Sequence, residues 1–157
     1  AVQSRMFDLL GFSKEEAQRI KREFWVTFAE EFPRKWILHN TKIKDVSFKF
    51  YIDNKKAHVL LEIEPKDEKN RIIYYEKIES LKTILLEDYL PDAIFERDLY
   101  LENGKAVSRI WIEKLNVSSN NKNTWPEVFE FFNEKMDAFE RFFYEYEDYI
   151  KDLNLNT

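Results

Sequence analysis

A chain of 157 residues with a formal charge of −5, no cysteine and two glycines excludes several classes of protein at once. Without thiols there is no disulfide scaffold, no cysteine nucleophile and no thiolate zinc site, and two glycines cannot build a glycine-rich phosphate loop. The 14 Phe, 8 Tyr and 4 Trp separate it from disordered chains, and the acidic balance runs against a nucleic-acid binder that uses its whole surface.

The five residues ahead of Met6 read as an appended or disordered remnant, and 6–157 as one α+β domain. Ser13-Lys14-Glu15-Glu16 has capping-box spacing. Ala17, Ile20, Phe24 and Phe28 then recur at steps of three and four, which predicts a first helix from about Ser13 to Phe32, closed by Pro33. From Val46 the period becomes two. Val46, Phe48, Phe50 and Ile52 alternate with Ser47, Lys49, Tyr51 and Asp53, and after the turn Asp53 to Lys56, Ala57, Val59, Leu61 and Ile63 alternate with His58, Leu60, Glu62 and Glu64. This is a hairpin with one buried face.

A second helix is predicted from Asp67 to about Asp88, with Ile78, Leu81 and Leu85 on its apolar stripe and Pro91 beyond it. Ile94 to Leu101 and Ala106 to Glu113 form a second hairpin around Asn103-Gly104, a pair suited to a two-residue turn with positive φ at both positions. After a polar loop, Thr124-Trp125-Pro126-Glu127 has capping-box spacing for a last helix reaching about Ile150. Its aromatics, Phe129 to Tyr149, point to too many sides for a single stripe.

Tyr51 to Ala57 aligns with Tyr100 to Ala106, and Ile63-Glu64 aligns with Ile112-Glu113 at the same offset. A duplicated ββα unit follows, giving α-ββ-α-ββ-α with an antiparallel four-stranded sheet and both repeat helices on one face.

This order, with Trp36 before the first hairpin, Lys55-Lys56-Ala57 leading its second strand, Ala106-Val107-Ser108-Arg109-Ile110 in the last strand and Trp125-Pro126-Glu127 opening the last helix, resembles a bacterial family of short domains of unknown function. The resemblance runs from about Phe24 to Phe143. Members stand alone or at the C-terminus of longer proteins, some of them nuclease-like. The resemblance implies no catalytic residues, and by association it points toward DNA metabolism or defence.

Three candidate chemistries remain. Glu62, Glu64 and Lys66 have the look of the metal and lysine half of a nuclease site, but they need a further acid, such as Asp45 or Asp53, and Pro65 interrupts them. His39 and His58 are isolated, so no metal-ligand pair, and hence no cofactor, is expected. Strand alternation places Lys49, Tyr51, His58, Glu62, Tyr100, Arg109 and Trp111 on the sheet face opposite the apolar one. Aromatics with Lys and Arg on an open sheet can stack bases and contact phosphates. The favoured reading is that helix one covers this face with Ile20, Phe24 and Phe28, leaving Arg109 in need of a partner.

The function expected is therefore a non-catalytic interaction or accessory domain, self-associating or docking on a protein partner. The alternative is a nucleic-acid-associated domain binding through Lys49, Tyr51, Tyr100, Arg109 and Trp111, with a metal-dependent nuclease a distant third. No run of about 18 apolar residues is present, so no membrane span is expected. No signal-type segment opens the chain, and the expected location is cytoplasmic.

Overall fold

A computed structural model describes residues 13–64 and 66–153. The expectations for Ala1 to Arg5, and for Pro65 as a strand breaker, lie outside the described residues. The elements run α1 (Lys14–Glu31), β1 (Val46–Ile52), β2 (Lys56–Ile63), α2 (Glu68–Glu79), α3 (Lys82–Asp88), β3 (Ile94–Tyr100), β4 (Ala106–Leu115), a 3-10 turn (Lys122–Thr124) and α4 (Trp125–Lys151). The sheet is antiparallel throughout, in the order β1-β2-β4-β3. The α+β class and the four-stranded sheet are thus as expected.

The first helix starts as its sequence dictates. The Glu16 amide donates to Ser13 Oγ at 3.1 Å, and the Glu16 carboxylate accepts from the Ser13 amide, satisfying two of the donors a helix start leaves free. The last helix does not start this way. Thr124 has helical φ/ψ and makes no side-chain cap. Its hydroxyl accepts from the Ser118 amide at 3.1 Å and reaches the Ser118 and Asn121 carbonyls. The reason is the preceding 3-10 turn, which consumes the threonine before the helix can use it.

The second predicted helix is two helices. At the break the Ser80 hydroxyl donates to the Lys77 carbonyl at 2.5 Å, a local bond that competes with helix continuation. The second hairpin turn also differs from expectation. Gly104 has φ 84°, but Asn103 is not among the residues of positive φ. The Gly104 amide donates to the Leu101 carbonyl at 2.8 Å, and the Asn103 side chain accepts from the Lys105 amide at 2.9 Å. This is the longer connection in which one left-handed glycine follows an ordinary turn.

The two hairpins do not share a register. Ile52 pairs with Ala57, yet a strict repeat would set Leu101 opposite Ala106, and Tyr100 stands there instead. A bulge between Glu96 and Leu99 shifts β3 once more. A single buried side chain secures that bulge. Arg71 of α2 is 2% exposed. It donates to the Arg97 carbonyl, to Ser108 Oγ at 2.8 Å and to Asp98 at 2.9 Å, and it pairs with Glu68. Ser108 Oγ closes the ring by donating to the Arg97 carbonyl at 2.6 Å.

The core lies on one side of the sheet, around α4. Phe139 and Phe143 meet Phe48 of β1 at ring separations of 5.5 and 5.6 Å. Phe129 and Phe132 meet Phe24 of α1 at 5.0 and 6.0 Å. Phe142 meets Tyr89, just past α3, at 5.5 Å. The aromatic surplus of the last helix thus has three internal neighbours. Only Tyr144 and Tyr149 of this helix remain as large exposed rings among the described residues.

Replacing Arg71 by Met should lower stability by about 2 kcal/mol or more, because charge-assisted bonds to a buried carbonyl and hydroxyl are lost. Urea unfolding of the two proteins measures it. An unchanged midpoint would show that the bulge holds without Arg71.

Candidate functional site

Alternation along β1, β2 and β4 gives the sheet a second face, and the pairing register sets its side chains in rows. One row runs Tyr51, His58, Glu113. The next runs Lys49, Leu60, Trp111, Ile94. A third runs Ser47, Glu62, Arg109, Glu96. The expectation that α1 covers this face is overturned. Phe24 and Phe28 pack on Phe129 and Phe132 of α4, and Phe28 also meets Phe50, so α1 joins the other helices on the core side. The cause is α4 itself, which offers a larger aromatic surface than the polar face does.

The second face forms a shallow concavity of about 680 Å³. Four of the five residues expected to bind there, Lys49, Tyr51, Tyr100 and Arg109, line it. Trp111 does not; it stands beyond His58, with 6.2 Å between the ring centres. Tyr100 also arrives differently from expectation. The bulge puts Leu99 opposite Val107, in phase with Arg109, while Tyr100 pairs with Ala106 at the strand end, 71% exposed.

At the floor lie Leu60 and Glu62, each 4% exposed. Glu62 is the centre of the site. Arg109 Nε donates to Glu62 Oε2 at 2.9 Å, its Nη2 makes a second bond to the same oxygen, and Lys49 Nζ donates to Oε1 at 2.6 Å. Burial pushes the Glu62 carboxyl up, but its bonds and charge pairing with Lys49 and Arg109 outweigh that and hold it below the usual carboxylate range. Arg109 is therefore not left without an acid.

Around this trio the polar groups are also engaged. His58 Nε2 lies 2.7 Å from Glu113, directly across the strands. Tyr51 donates to Asp53 at 2.8 Å, and that bond, with desolvation, pushes the phenol up. Burial would raise the Asp53 carboxyl, yet bonds from the Lys55 amide, Tyr51 and the Lys56 amide hold it low. The site also includes residues that the sequence reading left out of it: Glu62, His58, Lys56 and Leu60. Alternation had placed His58 and Glu62 on this face. That Glu62 sits opposite Arg109 depends on the β2-β4 pairing, which no local pattern reveals.

The nuclease geometry does not assemble. Glu62 is turned to Lys49 and Arg109, and Glu64 pairs with Lys105 at 3.1 Å. Among the described residues no three His, Cys, Asp or Glu side chains are placed to hold a metal ion. No described helix is long and apolar enough to cross a membrane.

The described helices on one face of a four-stranded antiparallel sheet, with a charged concavity on the other, define an α+β scaffold. Residues 20–147 match the family described as a domain of unknown function, DUF4268, and the chain belongs to that family. No curated protein and no solved structure matches it.

Glu62→Gln should cost about 1–2 kcal/mol at neutral pH, since two charge-assisted bonds are weakened. A carboxyl held low contributes stability above the ordinary carboxylate range and loses it as pH falls through its folded value. Denaturant unfolding at pH 7 and pH 3 should therefore show the gap between wild type and Glu62→Gln narrowing at the lower pH. A gap that widens there would contradict the clamp.

Proposed function

We propose that the chain is a non-catalytic docking module, and that the concavity around Glu62 receives a segment of a protein partner. The observation that carries this reading is charge balance. Lys49, Lys56 and Arg109 line the same hollow as Glu62, Glu64 and Glu102. A nucleic-acid strand would meet carboxylates as often as cations there, whereas such strands are held by grooves of one sign. A polypeptide carries both signs, together with the apolar groups that Tyr51, Tyr100 and Leu60 can accept. Tyr and Arg are also the side chains most often found to dominate protein interfaces.

The nucleic-acid reading keeps its residue types, Lys49, Tyr51 and Arg109, but both cations are already bonded to Glu62. Releasing them would leave a buried carboxylate unpaired, which is costly.

A photoreactive amino acid placed at Tyr51 or Tyr100 in the full chain tests the proposal in cells. A discrete protein adduct is expected from both positions and from neither Val26, exposed on α1, nor an Arg109→Glu background. An adduct of twice the chain's mass would identify the partner as a second copy. Equal yield from Val26, no adduct at all, or adducts carrying nucleic acid would overturn it.

A further inference from the structure

The connection between α1 and β1 holds a second hollow, of about 550 Å³, separate from the sheet face and bounded on one side by α4. Its walls include Lys35, Trp36, His39, Asn40, Lys42 and Tyr144, and none of its lining residues is acidic. The chain has 30 acidic and 25 basic residues, so a hollow with two lysines, a histidine and no acid departs from the balance of the whole. Lys35, His39 and Lys42 are exposed and make no ion pair among the described residues.

The loop that carries them is built rather than loose. The carboxylate of Glu140, 3% exposed, accepts from the Ile37 amide at 2.6 Å and from Arg34 at 2.7 Å. Arg34 also binds Asp137 at 2.7 Å and lies over the Trp36 ring at 4.2 Å. Arg141 takes the other oxygen of Asp137. Glu140 and Asp137 are thereby each bonded to arginine. Thr41 Oγ1 bonds the Ile43 amide and the Ile43 and Val46 carbonyls, and the Phe48 amide donates to the Leu38 carbonyl at 3.0 Å. Leu38 and Lys42 are held at φ 46° and 62°, a left-handed conformation that side chains other than glycine adopt only under constraint, and one that gathers at binding sites. The constraint fixes where Lys42 stands. Across the hollow Tyr144 is 60% exposed, a ring without cover.

Unpaired cations on a fixed loop, facing an uncovered aromatic ring, are the chemistry of a phosphate joined to a flat ring. We propose that this hollow binds a small ligand of the nucleoside-phosphate class, with Lys35 and Lys42 on the phosphate and Tyr144 against the base. Its volume is within the range of small-molecule sites, roughly 300–1,000 Å³.

Amide NMR of the full chain at low ionic strength tests this with three probes: adenosine monophosphate, inorganic phosphate and adenosine. The monophosphate should move the amides of residues 35–42 and of Tyr144 saturably. Phosphate should move the loop more weakly, and adenosine should not bind measurably. A Lys35→Gln, Lys42→Gln double variant, shown folded by its dispersed spectrum, should lose roughly tenfold or more in affinity for the monophosphate. Tyr144→Ala should bring the monophosphate down to the affinity of phosphate and leave phosphate unchanged. The proposal is overturned if the monophosphate gives no saturable shift at these residues, if the double variant binds as well as wild type, or if phosphate and monophosphate bind equally and Tyr144→Ala changes neither.

Discussion

The burial of α4 is the constraint on which the rest of the fold depends. Phe129, Phe132, Phe139, Phe142 and Phe143 lie on more than one side of a single helix and are all nearly inaccessible to water. A helix of this kind cannot rest on a sheet alone; it needs neighbours around it. The sheet takes one side through Phe48, α1 takes another through Phe24 and Phe28, and Tyr89 closes on Phe142. Each buried phenylalanine contributes about 1.5–3 kcal/mol, so recruiting α1 to this side outweighs anything the polar sheet face could offer it.

The sheet's second face follows from that allocation. With the described helices drawn to α4, the rows of Tyr51, Lys49 and Glu62 must be stabilised by their own cross-strand contacts. Glu62 shows how. A carboxylate at the centre of a sheet face is tolerable only when bonded and paired, and Lys49 and Arg109 supply both, from the strands on either side. The same contacts hold β1, β2 and β4 together as one surface. The charges lining its hollow balance, Lys49, Lys56 and Arg109 against Glu62, Glu64 and Glu102.

Much of this was legible in the sequence. Alternation gave both hairpins and put Lys49, Tyr51, His58, Glu62 and Arg109 on one face, because strand periodicity is local. The Ser13 cap was legible for the same reason. What was not legible depends on distant partners. The bulge in β3 is secured by Arg71 from another element, and it is what moves Tyr100 out of phase with Arg109. The side on which α1 packs was decided by competition between two surfaces, and only the assembled structure exposes their relative sizes. The break at Ser80 and the 3-10 turn before Trp125 are side-chain bonds that outcompete regular helix, and helical periodicity is blind to them. The hollow at the α1–β1 connection was not legible, because Tyr144 lies about a hundred residues from Lys35 and Lys42.

Hydroxyl-radical footprinting of the full chain tests the central claim, that the described helices share one face and leave the other accessible, most directly. Tyr51 and Tyr100 should be modified at rates typical of exposed tyrosines, while Phe129, Phe132 and Phe139 stay unmodified until the protein unfolds. Protection of Tyr51 and Tyr100 equal to that of Phe139 would contradict it.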